Sequence, residues 1–252
     1  MIGMSSEAEI WQTAPAQITF PSDRIDTWRV CLLSPELSER DGRDLLTPDE
    51  IARASRFYFE DDRRRFVSCR VALRILLGRY LETSPAEIRF HYEKHGRPEI
   101  AFPQDTGGLR FNVSDSGDLA LIAIGAGRAI GVDLEKIRHL PDLLELARGF
   151  FSAREVAAIL AVSEDKRHDA FFACWTRKEA FLKATGMGLM YPLSAFSVSV
   201  DPDGPAELLE VGEDGNAAGQ WSIKDTHPGE GFRGALAWTG GARVEFWQAR
   251  FC

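Results

Sequence analysis

Three acidic residues and two lysines, gathered in two short stretches, are the side chains of this sequence best suited to do chemistry. In Ile130-Gly131-Val132-Asp133-Leu134-Glu135 an apolar run ends in two carboxylates spaced two apart. On a strand that spacing turns Asp133 and Glu135 to one face, with Val132 and Leu134 on the other. In Phe171 to Leu189, FFACWTRKEAFLKATGMGL, steps of four along a helix join Phe171, Trp175, Glu179 and Lys183. A stripe that begins aromatic thus ends in two charges. Taken alone, Glu179 and Lys183 read as an ordinary i, i+4 surface pair contributing about 0.2–0.5 kcal/mol. Taken together, Asp133, Glu135 and Glu179 are three hard oxygen donors, a set that suits Mg²⁺ with its other positions left for water and substrate phosphates.

The elements that must position these groups follow from pattern and punctuation. Residues 1–27 read as an irregular leader, and Trp28 to Leu33 as a buried strand. Thr47-Pro48-Asp49-Glu50 starts a helix, with Thr as N-cap, Pro at the first helical position and the reciprocal acid three residues on. Asp61 or Asp62 can cap the next helix, which sets Phe66, Cys69, Leu73, Leu76, Leu77 and Tyr80 on one side and leaves most of its arginines as a solvated face. Strands are expected at 88–92, 109–114, 119–124 and through Asp133, with a turn at Lys94 to Pro98. Helices are expected at 143–148 and 153–161, then the long helix closed by Gly186 and Gly188. Strands at 196–200, 220–224, 234–238 and 244–248 complete the chain. Residues 65–78 can be laid on 170–183, pairing Phe66 with Phe171 and Cys69 with Cys174, so each half reads strand, helices, long helix, strands.

Composition sets the class. The chain has 252 residues and a net charge of −8, ordinary for a globular protein with a sizeable core, and unlike a general nucleic-acid binder. Its beginning, MIGMSSEAEIWQ, lacks the basic and apolar regions of a secretory signal, and the run Leu119 to Val132 is too short to span a bilayer. The reading is cytoplasmic, without a membrane. Cys31, Cys69, Cys174 and Cys252 are scattered without a C-x-x-C spacing, so buried thiols are expected rather than disulfides or a thiolate metal site.

Gly131 to Glu135, Phe150-Phe151-Ser152-Ala153-Arg154-Glu155 and Trp175 to Lys183 follow one another in the order G-V/I-D-x-E, F-F-x-x-x-E and W-S/T-x-K-E-A/S-x-x-K. With those three elements the chain resembles the 4′-phosphopantetheinyl transferases, of the longer, monomeric surfactin-synthetase (Sfp) type. The resemblance implies an α+β fold of two similar halves about a pseudo-twofold axis, here 28–127 and 128–252, with the active site in the cleft between them. It implies transfer of 4′-phosphopantetheine from coenzyme A to a serine of an apo acyl or peptidyl carrier protein, releasing 3′,5′-ADP and depending on Mg²⁺, with Mn²⁺ as the alternative ion.

Residue by residue, the resemblance makes Asp133, Glu135 and Glu179 the metal ligands, and Glu179, Lys178 and Lys183 the catalytic groups, with Glu179 or a metal-bound water taking the serine proton. Lys178, Lys183 and Asp133 also face coenzyme A. Arg65 stands at a 3′-phosphate position, Arg97 in HGRP replaces the lysine of G-K-P, and Ser114 lies in the F-N-x-S-H-S-G box, written here Phe111-Asn112-Val113-Ser114-Asp115-Ser116-Gly117. Arg53 joins the coenzyme A set, although its plain reading is a solvated helix residue. Asp115 departs from the family's histidine, and a carboxylate beside a phosphate is repulsive, so the expectation is that Asp115 orients a neighbouring arginine. It is also the one feature favouring the alternative, a non-catalytic coenzyme A-binding regulator of the same fold. Phe150, Phe151 and Met187 to Met190 are candidate carrier-docking positions.

Overall fold

The computed structural model describes residues 11–38, 44–92, 96–188, 191–211 and 218–251. Strands β1 (Gln12–Thr13) and β2 (Arg24–Cys31) are followed by helices α1 (Pro35–Ser38), α2 (Pro48–Ala54) and the long α3 (Glu60–Leu81). The hairpins β3 (Arg89–Tyr92) with β4 (Pro98–Phe102) and β5 (Leu109–Ser116) with β6 (Leu119–Ala126) come next. The same order then recurs: β7 (Ile130–Lys136), α4 (Leu143–Phe150), α5 (Ala153–Ala161), the long α6 (Arg167–Thr185), the pair β8 (Phe196–Val198) and β9 (Leu208–Val211), and the pair β10 (Trp221–Thr226) and β11 (Phe232–Thr239). Strand β12 (Arg243–Gln248) follows. The chain is α+β, and β2-β6-β5 in one sheet has the same order as β7-β11-β10 in the other.

Local sequence explains the recurrence. Thr47 caps α2 and Ser152 caps α5, each in a reciprocal box with the glutamate three residues on, Glu50 and Glu155. The pairs 47 and 152, 50 and 155, 66 and 171, and 69 and 174 all lie 105 positions apart. Both glutamates are buried beneath the long helix of their half, Glu50 against Arg70 and Arg74 of α3, and Glu155 against Lys178 of α6. Arg70 and Arg74 therefore do not belong to the solvated face expected of α3. A buried carboxylate needs a charged partner, and these two arginines supply it.

The layers are α3, the first sheet, the second sheet and α6. Along β6 the side chains alternate: Ala120, Ile122 and Ile124 pack under α3 with Leu73 and Leu77, whereas Leu121 and Ala123 face Val132, Leu134 and Leu236 of the second sheet. Beneath α6, Phe171 and Phe181 pack on Phe196, Ala235 and Ala237.

Several expectations shift. The strand expected from Trp28 begins at Arg24, inside the expected leader, and Gln12–Thr13 is also a strand. Neither Asp61 nor Asp62 caps α3; the N-cap is Phe59, with Glu60, Asp61 and Asp62 in the first turn, where their charge meets the helix dipole. Strand β12, expected with the second half, joins the first sheet between β1 and β2, parallel to both. Cys31 is exposed while Cys69 and Cys174 are buried. Residues 1–10, Lys94 and His95 of the expected turn at Lys94 to Pro98, Leu189, Met190 and Cys252 lie outside the described residues.

Candidate active site

Gly131 decides how closely α6 lies on β7. A Cβ at this position would collide with the backbone of Ala180 and Ala184, so only glycine lets the helix rest directly on the strand. That contact brings Glu179 and Lys183 beside Asp133 and Glu135. On the other edge of β7 lies β5, which joins it through side chains: Asn112 Oδ1, Ser114 Oγ and Ser116 Oγ accept the backbone N–H groups of Val132, Leu134 and Lys136 at 2.8, 3.3 and 3.0 Å. Alternation along β5 puts these three polar residues on one side, where they stand in for the carbonyls of a neighbouring strand.

The two serines also hold the acids. Ser114 Oγ donates to Asp133 Oδ1 at 3.0 Å, and Ser116 Oγ donates to Glu135 Oε2 at 3.2 Å. Lys183 Nζ donates to Asp133 Oδ1 at 2.7 Å, Ser114 Oγ at 2.9 Å and Val132 O at 3.2 Å, using all three of its protons. Asp133 is only 5% exposed, and its Oδ2 is buried without a hydrogen-bond partner. Burial and the charge of Asp133 raise the carboxyl of Glu135, against the hydrogen bond from Ser116. Glu179 is raised by burial and by Asp133, an effect that Lys183 opposes and Glu135 reinforces. Three acids that feel one another this strongly, one with an orphaned buried oxygen, are short of positive charge. Among the described residues no group of three such side chains stands at metal-holding spacing; the cation in contact with Asp133 is the Lys183 ammonium.

Three arginines of the first half were expected to hold coenzyme A. Arg97 Nη1 donates to the backbone O of Lys183 at 3.2 Å, reaching from the first half to α6. Arg53 is exposed on α2, stacked over Phe66 at 5.1 Å. Arg65 is occupied by Asp118 at 2.9 Å and Asp62 at 3.1 Å. Asp115 is exposed, yet partial burial raises its carboxyl, opposed by the fields of Lys183 and then Arg53.

Residues 129–237 match the model of the 4′-phosphopantetheinyl transferase superfamily, and residues 40–126 match the 4′-phosphopantetheinyl transferase N-terminal model. The chain is 38% identical to 4′-phosphopantetheinyl transferase HetI of Nostoc sp. over 94% of its own length and 97% of that protein. The chain belongs to the 4′-phosphopantetheinyl transferase superfamily. It is also 34% identical to 4′-phosphopantetheinyl transferase Sfp of Bacillus subtilis, over 70% of this chain and 75% of that one. Identity to the human L-aminoadipate-semialdehyde dehydrogenase-phosphopantetheinyl transferase is 24%, over 72% and 63%.

Against the superfamily motifs, Asp133, Glu135, Glu179 and Lys183 converge, and Lys178 does not. Its ammonium is fully buried on the far side of α6, donating to Glu155 Oε1 at 2.6 Å and Phe196 O at 2.5 Å. One residue off the Glu179–Lys183 stripe, it turns into the core and cannot reach a substrate phosphate. Burial lowers its pKa and Glu155 opposes that. Ser114 is likewise committed, with one proton donated to Asp133 and both lone pairs taken by Leu134 N–H and Lys183, so it orients the acid rather than awaiting coenzyme A. Asp115 has no arginine ion pair among the described residues, and Lys183 reaches it more strongly than Arg53 does.

Sequence reasoning passed over Asn112, Ser116 and Arg177. The first two were signalled by the polar alternation of FNVSDS. Arg177 is fully buried, bidentate to Asp225 at 2.8 and 2.5 Å and bonded to the backbone of Ser199 and Asp201, so it ties α6 to β10 behind the site. A separate cavity of about 390 Å³ lies over β2 and β12 between Trp28, Tyr80 and Trp247. Its buried acid, Asp26, is already bonded to Arg24, Tyr80 and Trp247.

Proposed function

We propose that this chain transfers 4′-phosphopantetheine from coenzyme A to a serine of an apo acyl or peptidyl carrier protein. The observation that carries the reading is the orphaned, buried Oδ2 of Asp133 beside Glu135 and Glu179, whose carboxyls burial and Asp133 raise, at the α6–β7 contact. Asp133, Glu135 and Glu179 fit Mg²⁺, or Mn²⁺, as an oxygen set. Bound there, the ion would neutralise the pyrophosphate of coenzyme A and stabilise charge on the leaving group.

The chain's own residues do the rest. Ser114 and Ser116 fix the ligand carboxylates of Asp133 and Glu135. Lys183 neutralises the pyrophosphate, and Arg97, Arg53 and Arg65 line the nucleotide side. Glu179, or a water held beside it, takes the proton of the carrier serine as the serine oxygen bonds to phosphorus and the phosphoanhydride bond breaks. The electron pair leaves on 3′,5′-ADP. Phe150 and Met187, 45% and 47% exposed, offer apolar contacts at the rim for the carrier. Phe151 instead packs into the core against Phe171 and Trp175. The protein acts as a cytoplasmic monomer that needs neither nucleic acid nor membrane; no helix among the described residues is long and apolar enough to cross one.

Incubation with coenzyme A, Mg²⁺ and a panel of apo carriers, read by intact mass, tests the reading. One phosphopantetheine is gained per carrier, and the gain is lost with EDTA and falls at least about a hundredfold in Glu179→Gln. Coenzyme A binding without transfer to any carrier would instead favour the regulator.

A further inference from the structure

Lys183 satisfies all three of its donors on Asp133, Ser114 and Val132. A side chain so placed is not free to meet a substrate phosphate. Its ammonium is also bound to a carboxylate that the proposed function assigns to a divalent cation, and two cations cannot share so small a space without strong repulsion. Asp133 Oδ2, buried and unpaired, shows that a single ammonium leaves the acid half satisfied. Asp115 is the next residue along β5 from the Ser114 that Lys183 holds, exposed on the strand's other face, a second carboxylate within the field of Lys183.

We propose that Lys183 is an exchangeable counter-ion. Without metal it holds Asp133; a divalent cation displaces it toward Asp115, and from there it reaches the pyrophosphate of coenzyme A. The inference rests on the proposed metal site and adds what that site does to the lysine. It gives Asp115 a positioning role, since the released ammonium gains a partner before substrate arrives. The exchange makes metal and coenzyme A binding cooperative, because the ion frees the cation that the substrate needs. No covalent step is involved.

The test is direct Mn²⁺ binding to the full chain without coenzyme A, followed by electron paramagnetic resonance of the free ion. Wild type, Lys183→Met, Asp115→Ala and the double variant are compared, with melting curves as the check on folding. Lys183→Met removes the competitor and binds Mn²⁺ roughly tenfold tighter. Asp115→Ala binds several-fold more weakly than wild type, and the same change is without effect in the Lys183→Met background. If Lys183→Met gains no affinity, the exchange is wrong. If Asp115→Ala weakens binding equally in both backgrounds, Asp115 acts through its long-range field and its role as the lysine's second partner is wrong. A readout that needs no variant is the ¹³Cε signal of Lys183 in the wild-type chain. It shifts in step with Mg²⁺ occupancy, and a stationary signal overturns the exchange. Wild type that modifies carriers while Lys183→Met gains no affinity sinks the exchange and leaves the transferase reading standing. Absence of Mn²⁺ binding by all four proteins overturns the exchange together with the metal site.

Discussion

Glu135 and Glu179 carry the residue-scale consequence of crowding acids in one place. Both carboxyls are raised above the ordinary value of 4.5, by burial first and then by Asp133. In that window these two groups hold more protons in the folded chain than in the unfolded one, so without metal their contribution to stability falls as pH rises from about 4.5 through the raised values. A divalent cation binds the deprotonated acids and reverses the trend. The gain in Tm from saturating Mg²⁺ is therefore expected to be small at acid pH and to grow across the same window, and Glu179→Gln flattens that growth. Melting curves with and without Mg²⁺ over a pH series check it; a gain independent of pH would detach the ion from these carboxylates. The acids were legible in sequence because a two-residue step on a strand and a four-residue step on a helix each place side chains on one face. That Ser114 would spend its hydroxyl on Asp133 was not legible, since a serine's partners are set by whatever the fold brings near.

At the scale of elements, α6 is held from two sides for two purposes. Lys178 and Arg177 anchor it to the core through Glu155 and Asp225, while Glu179 and Lys183 look out toward β7. Lys178→Ala is expected to destabilise the fold by about 3–5 kcal/mol, because it strands the Glu155 carboxylate in the interior. At temperatures where the variant remains folded, its KM for coenzyme A should stay near wild type. Urea unfolding and steady-state kinetics separate the two effects, and a raised KM with unchanged stability would return Lys178 to the substrate. Gly131→Ala has no room beneath Ala180 and Ala184 and is expected to cost roughly 3 kcal/mol or more, with loss of transfer as α6 lifts from β7. Chemical denaturation and the carrier assay measure both. Sequence periodicity grouped Glu179 with Lys183, yet it could not say which face of the helix meets the cleft, and the two motif lysines look alike until packing separates them.

For the whole molecule, the decisive feature is that neither half is closed on its own. Strand β12 follows the second half in sequence and pairs with β2 of the first, Arg243 opposite Arg24 and Trp247 opposite Trp28. The two sheets share the core of Ile25, Leu121, Val132, Leu134 and Leu236. Unfolding is expected to be a single cooperative transition, with calorimetric and van't Hoff enthalpies in agreement, and deletion of residues 243–252 should unfold the first half as well as the second. Two resolved transitions, or a truncated chain that retains a folded first half, would show the halves to be independent.

The sequence by itself determined the α+β class, the capped helix α2 and the helix α5, the recurrence of one helical pattern 105 positions on, and the three acids and two motif lysines as chemical candidates. Those features depend on spacing within one element or on capping by residues a few positions away, where geometry is local. The tertiary structure alone decided that Lys178 is buried, that Arg70 and Arg74 serve Glu50, that serines join β5 to β7, and that β12 crosses into the first sheet. Each of these depends on which distant surface an element meets, and burial of a charge or closure of a sheet edge is settled only there, by desolvation and by the partners the fold supplies.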